Sequence, residues 1–462
     1  MRRFRARDGL LTGWGLTAPT RARRVASSDG TSVTEVLTDG ADERGVIPRG
    51  LGRSYGDAAQ NAGGTVVDST AHDRIKHFDA ETGIVVCDGG VSLDQLMRSF
   101  VPSGWFVPVS PGTRLVTVGG AIAADIHGKN HHVDGTFTQH VAWIRLATPS
   151  GEFTVSPDSE SVADVELFWA TAGGMGLTGV ILEAAVRLLP IESAYVAVDT
   201  ERTADLDATM AAMVEGDDRY RYSVAWIDSV AQGARLGRGV LTRGDHLAAD
   251  ALPDELRDNP LAFAPSQVVS APKGVPTGLL NRATIRAFNE LWFRKAPKHQ
   301  VGHPETLTNF FHPLDFIGEW RRLYGKTGFV QYQFVLPDGA EDTLRLCTER
   351  LSSRTASFLT VLKRFGPASP APLSFPSPGW TLALDIPAGT AGLPELLDNL
   401  DDLVAAEGGR IYLAKDSRMS AKHLPTMYPR LDEWRATQRR IDPTGIMQSD
   451  MSRRLGLTFT DR

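Results

Sequence analysis

Apolar positions in the first 190 residues come in short runs broken by glycine. IVVCDGG, GAIAADIHG and TGVILEAAVRLLP read as strands or short helices bounded by glycine turns. SLDQLMRSFV has helical spacing, with Ser92 as N-cap and Gln95 closing a capping box. DVELFWATAG reads as a second helix, stopped by Gly173 and Gly174. Beyond residue 190, RYRYSVAWID and FVQYQFVLP show strand character, and EDTLRLCTERLSS is helical. RIYLAKDSRMS reads as a strand and turn, and HLPTMYPRLDEWRATQRRIDP as a polar helical tail whose core Pro429 and Pro443 bound. Strands and helices do not alternate regularly, so the pattern predicts an α+β fold rather than a doubly wound sheet. Two proline-rich stretches, residues 251–278 and GPASPAPLSFPSPGW ending at Trp380, are expected to be lids, binding loops or disordered parts. No internal repeat is visible.

Composition narrows the class. The 462 residues are 42% hydrophobic and 23% charged, which excludes a disordered chain, a coiled coil and a collagen-like fibre. A formal net charge of −6 argues against nucleic acid as a partner. Two cysteines, Cys87 and Cys347, build neither a disulfide framework nor a cysteine zinc site. The N-terminal MRRFRARDGLLTGWG is basic, but no apolar stretch of useful length follows it, and no uncharged apolar run is long enough to span a bilayer. The expectation is therefore no signal peptide and no transmembrane segment, with peripheral membrane contact left open.

Three local motifs invite functional readings that their context weakens. Gly52-Arg53-Ser54-Tyr55-Gly56 fits the G-x-S-x-G elbow of serine hydrolases, yet DAAQNAGG is too short and glycine-rich to supply the helix that must follow. Gly174 to Gly179 fits G-x-G-x-x-G, but a helix precedes it and a strand follows, the reverse of a dinucleotide fingerprint. His127 and His131 have the i, i+4 spacing of a helical zinc site, but Gly128 and Asn130 oppose a helix there, and no metal is expected.

Three glycine-rich segments, PRGLGRSYGD, SPGTRLVTVGGAIAADIHG and AGGMGLTGV, offer many backbone amides and could line an elongated pyrophosphate ligand. In order and content they resemble the FAD-binding domain of the vanillyl-alcohol oxidase (p-cresol methylhydroxylase) flavoprotein family. Together with LTGWGLTAPT, HGKNHH, GFVQYQFVLP, PLSFPSPGW, AKDSR and MYPRLDEW, they resemble the branch of that family that oxidises lipid-phosphoryl ribose. The resemblance implies an FAD-binding domain at 1–190, a substrate domain with an antiparallel sheet and proline-rich lid loops at 191–407, and a C-terminal segment at 408–462 returning to the FAD-binding domain. It implies FAD as cofactor and oxidation of the 2′-hydroxyl of a polyprenyl-phosphate-linked ribose to a 2′-keto sugar. An NAD(P)H-dependent short-chain reductase would then complete epimerisation to the arabinose donor for cell-wall arabinan. An FAD oxidase of another polyol or aldonolactone is the alternative, and a serine hydrolase built on Ser54 a distant third.

Carried onto this chain, the resemblance assigns the first cofactor loop to Arg49, Gly50, Leu51, Gly52, Arg53, Ser54, Tyr55, Gly56, Asp57 and Asn61. A second contact comprises Gly112, Thr117, Val118, Gly119, Gly120, Ala124, Asp125, Ile126 and His127, with Gly179 and Tyr412 added from later segments. Lys415, His127 and Tyr55 fall on positions beside the flavin's reactive face. Lys415 could hold negative charge or act as a base. Lys129, Trp226, Phe311, Gln331, Gln333, Lys363, Ala383, Asp385 and Lys415 fall on substrate-pocket positions.

Departures from the family carry expectations of their own. Arg53 stands where covalent members carry a flavin-linking histidine, which implies non-covalent FAD. Ala383 replaces a cysteine that nitroaromatic inhibitors attack in many relatives, so covalent capture is not expected here. Phe311 stands where relatives have tyrosine, removing a hydroxyl from the pocket rim. Residues 251–278 are expected to be a mobile lid that admits the phosphosugar while its lipid stays in a bilayer, because each buried methylene is worth about 0.8 kcal/mol.

Overall fold

The computed structural model describes residues 5–26, 30–38, 43–266, 269–276 and 278–459. Two larger sheets and a short two-stranded pair, Trp105–Phe106 with Leu189–Pro190, build the first half of the described residues. A hairpin of Arg5–Leu11 and Thr20–Ala26 runs antiparallel, then Thr65–Asp68 and Val46–Arg49 add in parallel. The second sheet is antiparallel and five-stranded, with Val180–Arg187 between Ile84–Asp88 and Val141–Thr148. The capping box at Ser92 and Gln95 forms as expected and starts helix Leu93–Phe100. Val162–Thr171 is the second expected helix, and Gly173 ends it at φ +71°.

The second half is organised by one eight-stranded antiparallel sheet. Its order is His299–Thr306, Tyr195–Thr203, Gly239–His246, Tyr222–Ile227, Thr360–Phe365, Gly379–Pro387, Phe329–Leu336 and Arg410–Ile411. Helices Glu341–Arg354 and Leu393–Ala406 bury apolar stripes that include Leu344, Leu351, Leu397 and Leu400. Each such leucine contributes about 1.5–3 kcal/mol by leaving water. Strand side chains alternate between faces, and the face bearing Gln333, Ala383, Val361 and Trp226 looks into a cavity instead.

The chain crosses back after the sheet. Arg410–Ile411 completes it as an edge strand, so the return to the first half begins only beyond the last sheet strand. Trp434, on helix Leu431–Ile441, then donates its indole N–H to Ala170 O at 2.9 Å in the first half. Further along, Arg454 grips Asp57 with two hydrogen bonds of 2.9 and 2.8 Å.

The two proline-rich stretches part company. The second is packed core, not a lid: Leu373, Phe375 and Trp380 are buried, Phe375 stacks on Tyr412 at 4.6 Å, and Ser374 donates to Asp125. Its prolines fix a path between core side chains rather than loosen it. In the first stretch, Val269–Ser270 pairs in parallel with Ile317–Gly318, and Ser270 borders the cavity. Residues 267, 268 and 277 of that stretch lie outside the described residues.

Candidate active site

A cavity of about 760 Å³ lies between the glycine-rich segments of the first half and the open face of the eight-stranded sheet. A single cross-strand row forms much of the sheet-side wall. Gln333 lies opposite Ala383, Ala383 opposite Val361, Val361 opposite Trp226, and Trp226 opposite Val240. All five border the cavity, which explains why residues so far apart in sequence meet there.

Most of the expected residues surround this cavity. Arg49 through Tyr55, Gly112, Thr117, Gly119, Gly120, Ala124, Ile126, His127, Gly179 and Tyr412 line it on the first-half side. Lys129, Trp226, Phe311, Gln331, Gln333, Lys363, Ala383 and Lys415 line the rest. Six expected residues do not border it. Asp57 is committed to Arg454, and Asn61 donates to Gly45 O at 2.8 Å. Val118 is core, and Asp125 is buried against Ser374 and Thr138. Gly56 is a packing glycine, since an added Cβ would meet Asp416 O at 2.0 Å. Asp385, the sixth, lies wholly buried behind Gln331.

Backbone bonds set the polar centre. Tyr55 N–H donates to Ala414 O at 2.9 Å, which brings the next residue's ammonium to 3.9 Å above the Tyr55 ring. That ammonium belongs to Lys415. Burial pushes its pKa down to about 8, while Asp385 pulls the other way. Burial raises Asp385 to about 7, and the Gln331 amide and Lys415 oppose the rise. His127 is held neutral, first by burial and then by the nearby Lys363, His131 and Lys415. Gln333 Nε2 donates to His127 Nε2 at 3.1 Å, and the ring's Nδ1 is buried without a partner. Such an orphaned group costs stability unless something bound satisfies it.

The motifs with misleading contexts resolve the same way. Ser54 is followed by turns, not by the helix a nucleophile elbow requires. Helix His131–Asp134 begins after His127, so the two histidines do not share a helical face. No metal-binding group of three or more ligands occurs among the described residues.

Comparison with known proteins gives the same direction. Residues 32–156 match a family model described as an FAD binding domain. The chain is 48% identical over 451 residues to the decaprenylphosphoryl-β-D-ribose oxidase of Mycolicibacterium smegmatis, covering 97% of both chains. The chain belongs to the decaprenylphosphoryl-β-D-ribose oxidase family. A Streptomyces coelicolor protein of uncharacterised function is 40% identical over 377 residues, 79% of this chain and all of that one. Similarity to a D-lactate dehydrogenase of Anaerostipes hadrus, 26% over 148 residues, covers only 31% of the chain.

The cavity suits the FAD of this oxidase family. Its first-half wall is backbone-rich and closely packed: a Cβ at Gly50 would strike Thr117 Oγ1 at 2.2 Å. The orphaned Nδ1 of His127 offers a group for a bound molecule to satisfy. Sequence reasoning missed several wall residues. Trp14 sits between two guanidiniums, Arg53 at 3.8 Å and Arg321 at 4.2 Å from its ring centroid. Ser110 borders the cavity and bonds His312 at 2.7 Å, and Asp315 accepts from Thr113 and Arg114 N. Trp14 carried a signal within LTGWGLTAPT, and Ser110, Thr113 and Arg114 within SPGTRLVTVGGAIAADIHG; Arg321, His312 and Asp315 meet them through folding alone.

Proposed function

We propose that this protein is an FAD-dependent oxidase of the 2′-hydroxyl of decaprenylphosphoryl-β-D-ribose, producing the 2′-keto sugar. The single observation that supports this most is the cavity itself, where glycine-rich loops of an FAD-binding domain face a sheet wall of glutamines, lysines and Trp226. The loops from Arg49 to Tyr55 and from Gly112 to His127 would hold the cofactor. Binding is non-covalent, because Arg53 has no nucleophilic nitrogen free at neutral pH; its guanidinium is held by Leu115 O at 3.0 Å and by Trp14.

FAD held there would supply the acceptor for the hydride that leaves the carbinol carbon. The chain's own groups handle the rest. Gln331 and Gln333 orient the sugar hydroxyls from adjacent positions on one strand face. Lys415, with a pKa near 8, takes the hydroxyl proton at Nζ. Asp385, on the same sheet face and bonded by Gln331, supplies its counter-charge, and neutral His127 keeps an unpartnered Nδ1.

The cavity mouth supports a lipid-linked substrate. Trp292 and Ile317 border the cavity and are exposed, and Val269, Leu291 and Val301 are exposed on the neighbouring elements. Isolated exposed apolar residues are ordinary, but a cluster at a cavity rim marks an interaction surface. Lys295, on the same rim, suits anionic headgroups. No helix among the described residues is long and apolar enough to cross a membrane, so contact would be peripheral. The product's ketone requires a separate reductase, for which an NAD(P)H-dependent partner is proposed. Mass analysis of the product tests the reading. Loss of two hydrogens from polyprenylphosphoryl ribose, with simple polyols and aldonolactones untouched, is the expected result; oxidation of the latter alone would favour the other oxidase class.

A further inference from the structure

We propose that Lys129 and Lys363 together seat the phosphodiester anion of the substrate. The inference rests on the reading above and names the part of the cavity that recognises the charged link between sugar and lipid. Both lysines border the cavity, and neither ammonium has a carboxylate within ion-pairing distance. The Lys129 ammonium donates to Phe310 O and lies 4.0 Å from the Phe310 ring centroid. Lys363 Nζ donates to Gly128 O at 3.4 Å and stands 5.7 Å from the Phe365 ring. Two of the three carboxylates on the cavity wall have other engagements. Asp315 is bound by Thr113 and Arg114, and Glu319 by Arg321. Glu305 raises the pKa of Lys129 without bonding it.

Two half-buried cations that border one cavity, neither bonded to a carboxylate, are unfavourable. Burial lowers Lys363 to about 7, with the charges of Lys415 and Lys129 adding to the effect, and lowers Lys129 to about 8. A bound monoanion would relieve both penalties at once and complete charge-assisted hydrogen bonds.

Position agrees with chemistry. In a ribosyl phosphodiester, phosphorus lies three bonds from C2′, so the anion must sit beside the groups that serve that carbon. Lys363 is two residues from Val361 of the cross-strand row and lies opposite Thr381, which Gln333 also contacts. Lys129 is two residues from His127. Beside Lys129 the wall is Phe310 and Phe311, apolar surface suited to the first isoprene units.

The test is calorimetric titration of the FAD-loaded protein with farnesyl phosphate, farnesol and inorganic phosphate. Farnesyl phosphate should bind at least about a hundredfold tighter than farnesol. Lys363→Met and Lys129→Met should each weaken farnesyl phosphate by about tenfold to a hundredfold and leave farnesol unchanged. Lys363→Arg should retain most of the preference, and rising pH should erode it as the lysines lose charge. Inorganic phosphate binding as tightly as farnesyl phosphate would mean a free-anion site and overturn the proposal. Equal binding of farnesyl phosphate and farnesol by the unaltered protein, or an undiminished preference in folded, FAD-loaded Lys363→Met, would overturn it too. Turnover of polyprenylphosphoryl ribose is read separately. Absence of turnover with the phosphate preference intact would count against the oxidase reading, not against this seat.

Discussion

Gln331 Nε2 donates to Asp385 Oδ1 at 2.5 Å across a register in which the two residues lie directly opposite. Gln331 faces the cavity, whereas Asp385 is completely buried and keeps its second oxygen without a partner. A carboxylate held this way cannot serve as a simple sugar contact. It acts through its charge on Lys415, whose proton it helps retain.

That relationship fixes the sign of a pH effect. Asp385→Asn removes the counter-charge, so burial dominates and Lys415 loses its proton at lower pH. If neutral Lys415 accepts the substrate proton, the ascending limb of kcat against pH should move down by about one unit. An unmoved limb, or one moved upward, would contradict this role. Lys415→Met should cost about 10²–10⁴ in kcat with FAD still bound.

The flavin should part from the protein. Acid precipitation of the FAD-loaded protein should leave the yellow chromophore in the supernatant. Chromophore in the pellet would mean that a residue other than the family's histidine position is linked to it.

The native thiols should be inert. Cys87 and Cys347 are buried, and burial pushes both up to about 12. Native protein should therefore resist alkylation at neutral pH and form no adduct with a nitroaromatic inhibitor. Ala383→Cys places a thiol on the cavity wall and should take up one equivalent of alkylating reagent; a stable adduct on the unaltered protein would refute the argument.

Buried histidines make stability fall on the acid side of neutrality. Burial lowers His131 to about 3 and His246 to about 4, and holds His127 and His312 well below the ordinary value. Below about pH 6.5 the unfolded chain takes up protons that the folded chain refuses, so stability drops with pH from there towards 4. Tm should decline clearly between pH 7 and pH 5, and His246→Phe should reduce the slope. A flat profile over that window would show that these rings are not buried as neutral groups.

Local chemistry made much of this legible. The Ser92 capping box, the helix ended by Gly173 and the strand FVQYQFVLP could be read from neighbouring residues alone. The cavity loops were visible because glycine marks close backbone approach, as at Gly50. Gly56, Asp57 and Asp125 looked like cofactor contacts because they sit within those loops, but their partners, Asp416, Arg454 and Ser374, come from the distant end of the chain. The second proline-rich stretch misled for a related reason. Proline content records a restricted path, and only tertiary contacts such as Phe375 on Tyr412 decide whether that path is core or surface. The pairing of Ser110 with His312 left no trace in sequence spacing at all.

The central claim is tested most directly by mixing the FAD-loaded protein, without oxygen, with polyprenylphosphoryl ribose and following the visible flavin absorption. Stoichiometric bleaching is expected with the lipid-phosphoryl ribose and none with lipid phosphate lacking the sugar. A flavin that stays oxidised with the ribose substrate, in protein that demonstrably binds it, would contradict the account.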